Sequence, residues 1–381
     1  MVEHLLTADE AAHHAALLKD LDRWRGEPAH WDRAGRLPEP VIRWCREQRL
    51  TGAALPAELG GGGWDAVRTG LLYEAMGRVS ASLASLVNVH DMAAQVVVRW
   101  GTEEQRRDVL PPLANGSRLA AIAMTEPQAG SDLSGIETNL EERDGRLLLN
   151  GCKVFITFGQ QADVFLVFAQ RAGQSIACLV DRDQPGLTVT PMGEMLGLRA
   201  AALGRLEFRD CEISPSAVVG RDGFGLAVLV PLALEHGRHA VAWMAAGMLH
   251  EVFLAASEYA LERRAFGRAL IEHGQVQSLI TRMGTDLEAT RHLCLAASRA
   301  LDSGDSAATD RVLTAKYFAC RVLEEHSAQA VQLLAAQGAL ESGVTARVYR
   351  DAKVLNILEG TTQILERMLA PRLASAARRR S

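Results

Sequence analysis

Apolar positions in the first hundred residues recur at helical spacing. Leu5, Ala8, Ala12, Ala15, Ala16 and Leu18 fall near one stripe, and the same period returns from Thr69 to about Trp100. Pro38, Pro40 and Pro56 punctuate the segments between, the glycines at 60–63 read as a loop between two helices, and Pro111 and Pro112 close the block. Near Ala120 the texture changes. Short apolar or alternating runs, LLL at 147–149, VFIT at 154–157, VFLVF at 164–168, IACLV at 176–180 and LEF at 206–208, predict strands. The pairs Asp144 and Gly145, Asn150 and Gly151, Ala172 and Gly173, and Pro185 and Gly186 are placed as the turns between them. After the GFG at 223–225 helical spacing resumes over 232–264, 274–303, 307–337 and 345–358, each longer than ~12 residues, as in a bundle. The pattern predicts an α+β chain, mostly α, in three units: helical over 1–117, β-barrel-like over 118–222 and a helical bundle over 223–381.

Composition narrows the functional classes. Lys and Arg number 41 against 46 Asp and Glu, a net charge of −5 that carries no electrostatic footprint for nucleic acid. The one basic cluster, at 378–380, reads as a solvated tail. Six cysteines, without a C-x-x-C pair or a secreted-domain spacing, lead to the expectation of a reduced, cytoplasmic compartment. The first 25 residues mix acidic and basic side chains, which argues against a signal peptide, and the apolar stretch at 223–234 is too short to span a bilayer and contains Pro231. No membrane association is expected.

Two places carry candidate chemistry. TEPQAGSD at 125–132 combines a fixed and a free backbone with hydroxyls able to hold a heteroatom-rich ligand, although an ordinary turn has the same composition. Glu359, before Gly360, is either a solvated charge at a helix end or a base in a dry site. His236 and His239 could share a helix face but lack a third metal ligand, and the rings of His13 and His14 diverge, so structural or solvated roles are expected and no metal site is placed. H-E-x-x-H, G-x-S-x-G and a dinucleotide-binding G-x-G-x-x-G after a strand are all missing from the sequence.

MTEPQAGSD at 124–132 resembles a signature of the acyl-CoA dehydrogenase family. GCKVFIT at 151–157, YALERRAFG at 259–267, and YRDAK at 349–353 leading to EGT at 359–361 are similar to three further family segments in the family order. The resemblance spans about 52–369 and implies a helical domain, a β domain and a C-terminal four-helix bundle. It also implies FAD between the β domain and the bundle, closed by a neighbouring subunit of a homodimer or homotetramer. Met124, Thr125, Gly130 and Ser131 match positions lining the flavin ring and pyrophosphate, and Phe155 and Thr157 match those covering the ring near N5. Arg263, Phe266 and Gln332 match contacts to the partner's FAD, and Thr361 and Gln363 the remaining phosphate and ribose contacts. Glu359 matches the base that removes an α-proton while hydride leaves the β-carbon; Ser131, Arg238 and Gly360 match the substrate side. The substrate so implied is an acyl group on CoA or on an acyl carrier protein, with electron-transfer flavoprotein or oxygen as acceptor. Ile357 and Leu358 are expected to bury the carboxyl and raise its pKa. Glu235 is kept as a rival base.

Several positions depart from the family pattern. Phe158 stands where Asn is common, Ala335 and Ala336 replace a glycine pair after Gln332, Ala265 lacks a hydroxyl found in some relatives, and Gly274 stands where Gln is frequent, with Gln275 one place late. Leu358 replaces a frequent Tyr, and Trp243 adds bulk after Arg238, so the expected pocket is not one for a plain straight-chain acyl group. QAGSDLS at 128–134, Gly237 and Arg238 with Val241 and Trp243, and residues 357–360 are also similar to a subgroup acting on carrier-bound acyl groups in polyketide extender-unit pathways. Two other readings stay open: a flavin oxidase or monooxygenase on the same fold, and a catalytically silent thioester-binding protein.

Overall fold

The computed structural model describes residues 3–378; of the tail read at 378–380, residues 379 and 380 lie outside them. Helices α1 (Ala8–Leu21), α2 (Pro28–Ala34), α3 (Glu39–Glu47), α4 (Ala66–Val79), α5 (Ala81–Trp100) and α6 (Glu103–Ala114) form the first unit. Their starts follow from capping chemistry. Thr7 and Thr102 each form a capping box, with Glu10 and Gln105, and Asp65 and Ser80 accept from the backbones of Arg68 and Leu83.

The second unit contains β1 (Ala120–Ala123), β2 (Asn139–Arg143), β3 (Arg146–Ile156), β4 (Val164–Arg171), β5 (Gln174–Asp181), β6 (Leu187–Pro191), β7 (Gly204–Ile213) and β8 (Val218–Val219). They join in the order β6-β7-β3-β2-β4-β5-β8, with β1 parallel to β4. Asp144 and Gly145 (φ 52° and 73°) and Ala172 and Gly173 (φ 48° and 76°) make the tight turns that the sequence predicts. Asn150 and Gly151 do not. β3 runs straight through them with a register shift against β7, and Gly151 (φ 146°) is needed because a Cβ there would lie 2.5 Å from Thr138 Oγ1. Two predicted strands are therefore one.

The third unit is built from α7 (Val230–Glu262), α8 (Gly274–Asp302), α9 (Ala308–Leu334) and α10 (Val344–Leu355), which pack on one another, with α11 (Thr362–Arg378) against α9. Between α7 and α8 a small arm pairs β9 (Arg264–Ala265) with β10 (Arg268–Ala269). Two predicted helices end sooner than their apolar spacing suggested: α9 stops at Leu334 in a 3-10 turn, and α10 at Leu355.

One continuous core joins the first and third units, with Leu72, Met76 and Leu83 packed together with Val241, Met244, Met248 and Leu323. α7 crosses α4 so closely that a Cβ at Gly77 would lie 2.4 Å from Met244 O, and one at Gly247 2.0 Å from Glu74 O. α5 and the segment 225–262 are long and apolar enough to cross a membrane, but 89% and 67% of their most apolar windows are buried inside the protein, as befits helices surrounded by core. A second core joins α5 and α6 to β1 and β4. His90 fixes that seam: Nδ1 accepts from Ala120 N at 3.0 Å, Nε2 faces Leu113 O at 3.1 Å, and burial pushes the ring's pKa down to about 4.

Candidate active site

Glu359 sits in the turn between α10 and α11, and neighbouring side chains define that turn. Asn356 brackets it: Nδ2 donates to Cys320 O on α9 at 3.1 Å, its carbonyl accepts from Thr362 N at 3.1 Å, and Oδ1 from Thr362 Oγ1 at 3.0 Å. Inside the bracket Glu359 and Gly360 take φ of 56° and 97°, left-handed values that cost a non-glycine residue free energy. Two buried cations hold the carbonyls so exposed. Arg238 Nε donates to Glu359 O at 3.0 Å, and Lys316 Nζ to Gly360 O at 2.8 Å. RDAK at 350–353 anchors the preceding helix. Arg350 pairs with Asp32 on α2, Asp351 accepts from Leu198 N at 2.7 Å, and Lys353 pairs with Glu324 on α9 at 2.8 Å.

The carboxyl of Glu359 is walled by α7 and α5. A Cβ on Gly237 would lie 2.8 Å from Glu359 Cδ and Oε2 and 2.8 Å from Met92 Sδ. Burial is the largest influence and raises the carboxyl to about 7; the charges of Arg238 and Lys316 oppose it. Ile357 has no part in this wall, being 56% exposed, because the turn swings its side chain outward. Leu358 packs against the main core while partly buried. Glu235 is held by Thr309 Oγ1 on α9. Trp243, six residues beyond Gly237 and so about 240° around the helix, points away from Glu359: its ring fills the space at Gly70, and Nε1 donates to Ser298 at 2.9 Å. His236 faces Asp91 and His239 faces Ser298, so the two rings have different partners.

The loop after β1 is built on one buried ion pair. Lys153 Nζ, on β3, donates to Glu126 Oε1 at 2.7 Å and to Met124 O at 3.0 Å. Glu126 also accepts from the backbones of Glu137 (2.7 Å) and Thr138 (3.0 Å), and Val154 N donates to Thr125 O at 2.9 Å. Despite burial, these donors hold the Glu126 carboxyl below its ordinary range. The rigid base presents Thr125 half-buried, with Gly130 and Ser131 exposed, while Met124 is buried behind them. On the adjoining strand Phe155 takes φ 57° and leaves its ring 53% exposed, and Thr157 is half-buried at the strand's end. An exposed aromatic ring beside hydroxyls and free loop backbone suits a large group that has both a flat face and phosphates.

The other candidate positions occupy separate places. Arg263 ends α7, its carbonyl accepting from Leu270 N at 2.8 Å, and Phe266 tips the β9–β10 arm at 97% exposure. Gln332 is exposed in the last turn of α9, three residues before Ala335. Thr361 caps α11 through Ile364 N, and Gln363 is exposed on its first turn. Thus 359–361 meets Arg238, and the loop at 124–131 is tied through Lys153 and Val154 to the strand that carries Phe155, while Arg263, Phe266 and Gln332 face outward. Sequence reasoning missed Asn356, Lys316, Met92 and the Glu126–Lys153 pair. Lys316 left a signal: it is a cation on the stripe Val312, Leu313, Ala319, Cys320 and Leu323, all buried. Asn356 and Met92 left none.

The sequence matches the N-terminal, middle and C-terminal domains of acyl-CoA dehydrogenase over residues 22–117, 121–211 and 223–374. An acyl-CoA dehydrogenase of Bacillus subtilis is 31% identical over 360 residues, covering 91% of this chain and 93% of the relative. Butyryl-CoA dehydrogenase from Megasphaera elsdenii superimposes with a TM-score of 0.92 at 28% identity, over 97% of this chain and 99% of that one. FkbI, for biosynthesis of the methoxymalonyl extender unit of a polyketide immunosuppressant, superimposes with a TM-score of 0.87 at 32% identity, over 95% and 99% of the two chains.

Proposed function

The chain belongs to the acyl-CoA dehydrogenase family and is an oxidoreductase acting on CH–CH groups, and from that premise we propose that it desaturates a short or functionalised acyl thioester with Glu359 as its base. The family is FAD-dependent, binds acyl-CoA and passes electrons to an electron-transferring flavoprotein. FAD, when bound, supplies the acceptor for the hydride that leaves the β-carbon. Thr125, Gly130, Ser131, Phe155 and Thr157 would hold it from the β unit, and Thr361 and Gln363 from the start of α11. Arg263, Phe266 and Gln332, all exposed, are proposed to reach the same group in a second copy of the chain.

The observation that carries the reading is the placement of one carboxyl. Glu359 is walled by Gly237 and Met92, its pKa is raised to about 7, and Arg238 and Lys316 hold the backbone carbonyls of its turn. A base near neutrality suits a weakly acidic α-proton. In the step proposed, the α C–H bond breaks and its proton goes to the Glu359 carboxylate. The bonding pair forms the new C=C bond as the β C–H leaves as hydride. The Glu359 N–H has no acceptor among the described residues and is available to the thioester carbonyl, where negative charge develops. The likeness to FkbI supports a functionalised acyl group presented by a carrier protein, in a pathway supplying polyketide extender units.

The test is anaerobic mixing of the flavin-loaded protein with a panel of acyl-CoA and acyl-carrier-protein thioesters. Flavin absorbance should bleach with at least one thioester, and Glu359→Gln should keep its flavin but lose the bleaching. Bleaching by none, or unchanged bleaching in the variant, contradicts the proposal.

A further inference from the structure

Between the turn after α1, the end of α4, the far half of α7 and the start of α10 lies a cleft of about 290 Å³, at the small end of the range for ligand pockets. Three guanidinium groups line it. Arg78 Nε donates to Glu251 Oε1 at 2.8 Å and Arg25 Nη2 donates to the same oxygen at 3.4 Å, so one carboxylate oxygen gathers two cations. Arg347, on the first turn of α10, joins them through Val79, the residue after Arg78: its Nη2 lies 3.5 Å from the Val79 carbonyl oxygen. That long bond is the side chain's only one among the described residues, and no carboxylate pairs with it. Asp351 and Asp32 attract Arg347 but are engaged elsewhere, Asp351 by Leu198 N and Asp32 by Arg350 and Arg199. Burial pushes the Arg347 guanidinium below its ordinary range. A cation so withdrawn from water, with most of its N–H donors unused, destabilises the fold until an acceptor reaches it.

The carboxylates on the cleft wall are Glu251, already shared by two arginines, and exposed Glu258, so the cations outnumber them. The first turn of α10 adds to the imbalance, having neither a side-chain cap nor an acidic residue. Val79, Leu254 and Val344 make the rest of the wall apolar. We propose that this cleft binds a small organic anion, its carboxylate or phosphate head gripped by Arg347, Arg78 and Arg25 and its short apolar body lying on Val79, Leu254 and Val344. Either head accepts paired bonds from a guanidinium fork. The excess of arginine repels an ammonium, and Glu251 and Glu258 repel a polyanion. The site is separate from the base, since Glu251 stands about 21 Å along α7 from Gly237. It therefore does not depend on the reaction proposed for Glu359.

The test is isothermal titration calorimetry of the flavin-loaded protein with butanoate, butyl phosphate and butylamine, chloride balancing the ionic strength. At least one of the two anions should bind with a Kd of ~1 mM, as suits a few charge-assisted bonds at an open cleft. The tighter of the two identifies the head. Its one-carbon homologue, formate or methyl phosphate, should bind ~10-fold more weakly for want of the apolar body. Arg347→Met should weaken binding by ~10-fold or more. Ser342→Glu, at an exposed position on the rim, supplies a carboxylate of the protein's own; it should abolish binding and raise the ligand-free thermal midpoint. No heat from either anion beyond the chloride blank overturns the proposal, as does equal binding of butylamine. Unchanged affinity in both variants also overturns it, because an anion lodged in the acyl site instead would ignore Arg347 and Ser342.

Discussion

Gly237 on α7 and Glu359 in the α10–α11 turn touch so closely that no Cβ fits between them: one built on Gly237 would lie 2.8 Å from the carboxyl carbon. The glycine thereby sets the position of the carboxyl, because any side chain there must push either the glutamate or Met92. Gly237→Ala should displace the carboxylate by several tenths of an ångström. Misplacement of a reacting group on that scale lowers turnover by ~10- to 100-fold. The check is the single-turnover bleaching rate, set beside flavin content and the thermal midpoint, both of which should stay close to wild type.

The architecture was legible because it rests on period. Helical, β and helical textures follow one another in the sequence, and the capped helices and two-residue turns formed where local chemistry demanded them. The merged strand shows the limit: Asn150 and Gly151 have the composition of a turn, and only the approach of Thr138, the residue before β2, reveals why glycine stands at 151. The site was legible where side chains act through their own motif. TEPQAGSD and EGT mark their places, but the burial of Glu359 comes from Gly237 and Met92, far away in sequence, and not from adjacent Ile357. Trp243 was misplaced for the same reason, since bulk near Arg238 in sequence lies on another face of the helix.

The pH dependence follows from the raised Glu359 carboxyl. Below about 7 the group holds a proton and cannot accept another, so kcat/KM should rise with pH through an apparent pKa near 7 and then level off. Stability should move the opposite way. The folded pKa of about 7 exceeds the ordinary 4.5, so the folded state holds the proton more tightly, and this residue's contribution to stability falls as pH rises from 4.5 through 7. Glu359→Gln removes that loss. The variant's thermal midpoint should gain on wild type across this window and keep a constant lead above it; a lead that does not change with pH contradicts the assignment.

Lys316 acts on the same turn from the other side. Lys316→Met should leave the Gly360 carbonyl without its donor, costing ~1–3 kcal/mol in denaturant unfolding. It also removes one of the two charges that hold the Glu359 pKa down. The acid limb of kcat/KM should therefore shift to higher pH, a change that a purely structural lysine would not produce.

Glu126 and Lys153 form a pair 2% and 0% exposed under the loop at 124–132. Lys153→Met leaves the Glu126 charge buried without its cation and should cost ~3–5 kcal/mol. Because the pair supports Thr125 and Ser131 only from beneath, flavin should be lost before the fold is. The ratio of flavin to protein should fall at temperatures where far-ultraviolet circular dichroism is still native.

Ala335 presents the opposite case, a side chain where the backbone favours none. The residue takes φ 53° and ψ −132° as α9 ends, a region open to glycine and strained for alanine. The methyl group thus costs free energy in the chain itself, whatever space it takes from a cofactor. Ala335→Gly removes strain of ~1–3 kcal/mol but adds freedom to the unfolded chain, which offsets ~0.4–1 kcal/mol of the gain. The net expectation is stabilisation on the order of 1 kcal/mol. Urea unfolding should show a higher midpoint at an unchanged slope, and a lower midpoint would mean that the turn depends on the methyl contact. Glycine also removes an exposed methyl group three residues from exposed Gln332. If Gln332 reaches the neighbour's flavin as proposed, flavin affinity should rise in the same variant.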